Sequence, residues 1–402
     1  MARSFFQKVL FIAIAFLICL YGDLYPQNAK SIADSNNQFA FELYSKYKLQ
    51  KNNIFISPYS IYSALGMTYE GAKSKTAQEM EAIFHFPEDK SLRCDSFLEL
   101  VKQINKENKK YELHVANALW AQQNYKFLQS YFNIVENYYQ ANVFNINFSA
   151  SEDARLKINN WVEEKTNRKI KNLIPEGMIN KATTVVLTNA IYFKGFWLKQ
   201  FDKSATKEMD FSLDAGGNVK TQMMHLKGEE LYFNYMETDN FQMLELPYSG
   251  EELSMIVILP KNNTLAGLEG ILNAENLNLW QKDFKRKKVD VFLPKFKFET
   301  KYFMKDTLKE MGMLAAFSPL ADFSGMTGNR DLFIGQVIHQ AFIEVNEEGT
   351  EAAAATAVVM LKALYNPEDK TFIANHPFVF LIQEKSTGAI LFLGRVNNPN
   401  AE

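Results

Sequence analysis

The side chains best suited to chemistry are few in this sequence and stand apart from one another. Its five histidines, His85, His114, His225, His339 and His376, occur singly, and no two share a metal-ligand spacing. An isolated histidine is most simply a hydrogen-bonded structural residue. No G-x-S-x-G elbow, H-E-x-x-H helix, C-x-x-C pair or G-x-x-x-x-G-K-S/T loop occurs. Carboxylates are plentiful, but nothing in their spacing pairs them across a cleft. The expectation is a protein that is not an enzyme and carries no metal or cofactor. Lys102, Lys106, Lys109 and Lys110 fall near one another on an expected helix and its exit. They read as a weakly supported polyanion site or as a plain solvated face, and Glu107 with the nearby acids favours the second.

One segment is unusual. Glu347-Glu348-Gly349-Thr350-Glu351-Ala352-Ala353-Ala354-Ala355-Thr356-Ala357 passes from charged to nearly featureless, then leads into Val358-Val359-Met360-Leu361-Lys362-Ala363-Leu364-Tyr365. Alanine is the best helix former, so one reading is a short surface helix. Read with period two, Thr350, Ala352, Ala354, Thr356, Val358 and Met360 share one face of an extended chain, and Glu351 falls on the other. That face is small at first, apolar later and uncharged throughout, which suits a strand sliding between two others. Composition alone leaves the two readings level.

The elements that position this segment belong to a large fold. The 402 residues are 47% hydrophobic and 14% aromatic, enough for one large core or two ordinary ones. A net charge of −2 creates no field that suggests nucleic acid or an anionic membrane as partner. At the start, Arg3 and Lys8 precede an apolar run from Val9 to Tyr21, and Gly22-Asp23 returns to polar sequence. Residues 1–22 therefore read as a secretory signal peptide. The run is shorter than the ~20 residues of a comfortable membrane span. The expected location is outside the cell, or the periplasm of a Gram-negative source, with no membrane attachment after cleavage. Cys19 lies in this run behind Ile18, so only Cys94 remains, and the fold must be held by its core without a disulfide.

No linker divides residues 30–400, and 23–402 read as one domain. Ala40, Leu43, Tyr44 and Tyr47 mark one buried helix face. Ser57-Pro58 supplies an N-cap and a first-turn proline, Ile61, Ala64, Leu65 and Thr68 an inner stripe, and Gly71 a stop. Thr76 with Glu79, and Ser149 with Glu152, have capping-box spacing; the second helix would turn Ile158, Trp161 and Val162 inward. Runs at 184–193, 254–259, 289–298, 378–382 and 390–393 read as strands. Helices first and strands later, without regular alternation, point to an α+β fold with large, mostly antiparallel sheets.

Asn53 to Met67 with Gly71-Ala72, Thr188 to Trp197, Leu308 to Gly325, His339-Gln340-Ala341, His376-Pro377-Phe378 and Phe392 to Pro399 form an ordered series of blocks. Together they resemble the serpin family, and the likeness runs from about Ala33 to Pro399. The resemblance implies a serpin fold, with a helical N-terminal part, three β-sheets and an exposed reactive-centre loop at about 347–367. It implies a shutter cluster of Ser57, Ser60, Asn189 and His339 beneath the main sheet, and a breach tryptophan, Trp197. Glu347, Gly349, Thr350, Glu351, Ala352, Ala353, Ala354, Ala355 and Thr356 match the hinge of inhibitory members, with no residue that spoils it.

The implied function is a monomeric, secreted inhibitor that a serine protease attacks as a suicide substrate. The cut loop then inserts into the central sheet and traps the acyl-enzyme. A non-inhibitory carrier or chaperone is the alternative. Family spacing from Glu347 places the scissile bond at Ala363-Leu364, which suits an elastase- or subtilisin-like target. Lys362-Ala363 is the alternative bond and would suit a trypsin-like one.

Overall fold

A 3.6-residue apolar period builds the first helix. In the computed structural model, which describes residues 29–106, 109–228, 230–262, 264–350 and 369–401, residues 29–47 are helical. Ala40, Leu43, Tyr44 and Tyr47 all lie inside. After the short strand Ile54–Ile56, Ser57 caps helix Pro58–Tyr69 by accepting the Ser60 N–H, and Pro58 occupies the first turn, where no N–H is needed. Every residue of this helix is buried, not only the stripe marked by Ile61, Ala64, Leu65 and Thr68. Gly71 is not a left-handed stop. It lies where Gly325 crosses, donating its N–H to the Gly71 carbonyl at 3.0 Å, and a Cβ on Gly325 would stand 2.8 Å from that oxygen.

Neither expected capping box forms. Helix Ser74–Phe84 begins without a side-chain cap. The Thr76 hydroxyl accepts the Asp322 N–H at 2.9 Å, and Glu79 accepts the N–H groups of Leu314 and Ala315 at 2.8 and 2.6 Å. Helix Ser151–Lys165 also starts uncapped, with Glu152 paired to Arg155 at 2.6 Å. Its inward face is as expected: Ile158 and Val162 are buried, and Trp161 packs at the margin of the same cluster.

The five strand runs are all present as Val185–Phe196, Leu253–Pro260, Lys285–Pro294 followed by Phe296–Phe303, Phe378–Glu384 and Ile390–Val396. Two strands in the helical half, Tyr111–Gln122 and Asn142–Ile146, add to them. A six-stranded sheet runs Phe296–Phe303, Gln336–Val345, Gly349–Thr350, Val185–Phe196, Tyr111–Gln122, Asn142–Ile146. In the ten-stranded sheet, Lys285–Pro294 changes neighbours along its length. Its first residues pair with Tyr232–Glu237, and its last with Asn218–Leu226 and Lys370–Ile373. The three sheets that the resemblance implies are thus the six-stranded sheet and two halves joined through this strand. The main hydrophobic core includes apolar side chains from both sheets and from helix Pro58–Tyr69, and a second cluster lies under helix Ser151–Lys165.

Candidate functional site at the head of the six-stranded sheet

Two central strands run side by side and then part. Gln336–Val345 and Val185–Phe196 pair in parallel from Gln336 opposite Val186 to Phe342 opposite Tyr192. Beyond that point Gly349–Thr350 lies between them, antiparallel to both, with Thr350 opposite Val345 on one side and Gly195 on the other. The turn feeding this strand is local chemistry. The Asn346 side-chain oxygen accepts the N–H groups of Glu348 and Gly349 at 3.0 and 3.3 Å, an Asx-type turn. Glycine is required next, because a Cβ at Gly349 would stand 2.0 Å from the Gly195 carbonyl oxygen.

Trp197 anchors the same turn. Its indole N–H donates to the Asn346 carbonyl at 3.0 Å, its backbone N–H donates to the Glu348 carbonyl at 2.9 Å, and its ring stacks on Tyr248 at 4.7 Å. Glu347 and Glu348 are each 4% exposed. Lys295 reaches Glu347 at 3.0 Å and Lys203 reaches Glu348 at 2.5 Å. Burial by itself would raise the Glu347 carboxyl, but a backbone hydrogen bond, Lys295 and Thr206 outweigh it and hold the group below the usual carboxylate range. Thr350 is 1% exposed and its hydroxyl lies 2.7 Å from that of Tyr248.

Lower in the seam the sheet carries a buried polar cluster. Ser57, Ser60, Asn189 and His339 meet there. The Ser57 N–H donates to His339 Nε2 at 3.0 Å, so the ring proton sits on Nδ1 and is donated to Asn189 Oδ1. The Asn189 amide donates at 2.5 Å to both Ser60 Oγ and Asn117 Oδ1. The Ser57 hydroxyl donates to the Leu391 carbonyl at 2.7 Å. Burial pushes the His339 imidazole down to about 3. Sequence reasoning missed Asn117, which completes the cluster from the unforeseen strand Tyr111–Gln122. Its one signal is a polar residue inside the run Val115-Ala-Asn-Ala-Leu-Trp120.

Other expected positions are placed as follows. Glu351, Ala352, Ala353, Ala354, Ala355, Thr356, Lys362, Ala363 and Leu364, and the leader at 1–22, lie outside the described residues. Of the four clustered lysines, Lys109 lies over the Tyr111 ring at 5.1 Å. Cys94 is buried; that burial, with the Glu70 charge second, pushes its thiol up to about 12, which makes it unreactive. Among the described residues no group of three or more His, Cys, Asp or Glu side chains is placed to hold a metal ion.

The model of the Serpin (serine protease inhibitor) family matches residues 34–399. Human Serpin B3 is 44% identical over 389 residues, covering 92% of this chain and 100% of that protein. The leukocyte elastase inhibitor of Xenopus tropicalis is 42% identical over 380 residues, again covering 92% and 100%. Among solved structures, human thyroxine-binding globulin complexed with thyroxine superposes with a TM-score of 0.84 at 31% identity, covering 93% of this chain and 100% of that one.

Two expectations are corrected by these findings. The expectation of secretion is withdrawn: Serpin B3 and the leukocyte elastase inhibitor are matched over their whole length by 92% of this chain, and that likeness gives a leader at 1–22 no support. The flat expectation of a non-enzyme is also replaced. The family is described by what it does to proteases, serine protease inhibition, and that description takes the place of the flat exclusion. A family match over nearly the full described length, at this identity, leaves one conclusion: the chain belongs to the serpin family.

Proposed function

We propose that this serpin is an inhibitor of serine proteases that acts as a suicide substrate. The observation that carries the reading is Gly349–Thr350, two hinge residues seated between the strands that would receive the rest of the loop. A protease serine attacks a loop carbonyl and forms an acyl-enzyme with loss of the new amine end. The freed hinge side continues from Thr350 into the seam as a strand, adding backbone hydrogen bonds on both sides. The tethered protease is displaced, and its oxyanion hole is disordered before water deacylates it. Thyroxine-binding globulin among the similar structures keeps a carrier role as the competing reading. The small residues following Thr350 in sequence weigh against it, because a strand that never inserts needs no such face.

Incubation with a panel of serine proteases tests the proposal. A protease-serpin band that survives boiling in denaturant is expected; clean cleavage of the serpin by every protease would favour the carrier. The bond cut is proposed as Ala363-Leu364, since insertion length must match the distance the protease is moved. Mass spectrometry of the released C-terminal peptide is expected to show Leu364 at its start. A peptide starting at Ala363 would mean that Lys362 is used and that the target is trypsin-like.

A further inference from the structure

We infer that Tyr248 is a positioning residue for loop insertion, holding Thr350 seated in the sheet before any protease arrives; its role in inhibition rests on the function proposed above. Tyr248 follows strand Phe241–Pro247 of the ten-stranded sheet and joins the six-stranded sheet through a bridge to Trp197. Its ring is fully buried and clamped, stacked on Trp197 at 4.7 Å and edge-on to Phe193 at 5.1 Å. The hydroxyl therefore has one direction to point, and Thr350 Oγ1 stands there at 2.7 Å. Burial keeps the phenol far above its usual range, so it remains a neutral hydrogen-bonding group at any working pH.

The backbone makes the same statement from the other side. Gly195 faces both partners: a Cβ there would meet the Phe193 ring at 2.7 Å and Tyr248 at 3.0 Å. Gly349, opposite Phe196, approaches the Gly195 carbonyl more closely than any other residue type could. Two glycines and one hydroxyl thus form a slot that admits the first residues of the incoming strand. Adding a strand requires closing a loop before later residues gain their bonds, and a seated Thr350 has already met that requirement. Insertion then starts at Glu351, and it competes with deacylation from a position that an unseated hinge would have to find.

The test uses the uncleaved full chain and three variants: Tyr248→Phe, Thr350→Val and the double substitution. Phenylalanine keeps the ring, and valine keeps the branched shape, so the hydrogen bond is removed with little else. Amide hydrogen exchange over residues 346–350, without protease, reads the seating itself. Slow exchange is expected in the parent, roughly fivefold faster exchange in each single variant, the usual worth of one buried hydrogen bond, and no further gain in the double. With a trapped protease, the number of serpin molecules consumed per protease should rise by a similar factor while the association rate stays the same. Free exchange at Thr350 in the parent, or additive effects in the double variant, would overturn the inference. A parent that shows slow exchange but traps no protease would instead remove the inhibitor reading and leave the seating in place.

Discussion

His339 shows how a single side chain can fasten two strands. Its ring accepts from the Ser57 backbone on one side and donates to Asn189 on the other, and both bonds need the neutral tautomer. The unfolded imidazole titrates near 6.5 and the folded one near 3, because burial disfavours the charge. Below pH 6.5 the unfolded chain therefore takes up a proton that the folded chain refuses. The contribution to stability is complete above pH 6.5 and is lost as pH falls towards 3. His376, also lowered by burial, works in the same direction. The expected result is a melting temperature that falls from pH 6.5 to pH 4, with a shallower fall in His339→Gln; calorimetry across that range measures it. At this scale the sequence showed Ser57, Ser60, Asn189 and His339 only through family likeness. Asn117 and Tyr248 stayed hidden because the residues they bond, Ser60 and Thr350, lie far away along the chain.

Elements were legible wherever their signal is local. Ser57-Pro58 caps its helix as expected because the cap and the capped N–H are three residues apart. The Thr76/Glu79 spacing is equally local, yet both side chains are taken by the backbone at Asp322, Leu314 and Ala315, a tertiary demand that no short window contains. The strand Tyr111–Gln122 was missed for a related reason. Its central residues are buried on successive positions, so the two-residue alternation that marks a half-exposed strand is absent. Gly349–Thr350, the described start of the proposed hinge, yields a sharp prediction. Thr350→Arg would have to bury a guanidinium beside Tyr248 and Val345, where a threonine hydroxyl now fits, at a cost of about 3–5 kcal/mol. The hinge should leave its slot, insertion should stall and deacylation should win. Protease assays should show the variant cleaved as an ordinary substrate, while undiminished covalent complex would remove Thr350 from the hinge.

Across the whole molecule, the seam between Val185–Phe196 and Gln336–Val345 stores the asymmetry that the proposed function needs. These strands are joined in parallel, the slightly weaker kind of ladder per residue. A strand entering between them, continuing the direction of Gly349–Thr350, would exchange that one parallel ladder for two antiparallel ones. If the proposed insertion occurs, the sheet as it stands is not the most hydrogen-bonded arrangement open to this chain. On the proposed function the polar cluster opposes the exchange, since the His339–Asn189 bond lies across the seam at paired positions and must part before a strand can pass. On that same proposal the uncleaved fold is held by a barrier and not by depth, and its persistence is kinetic. In an ordinary protein a nick in a surface loop gives the unfolded chain more freedom and lowers stability slightly. Here a nick between Val358 and Tyr365 should release the hinge side to add its strand, and the melting temperature should rise. Limited proteolysis confined to that stretch, followed by calorimetry of intact and nicked protein side by side, measures it. A nicked protein that melts at or below the intact one would mean that the seam does not open, and the insertion mechanism would fall with it.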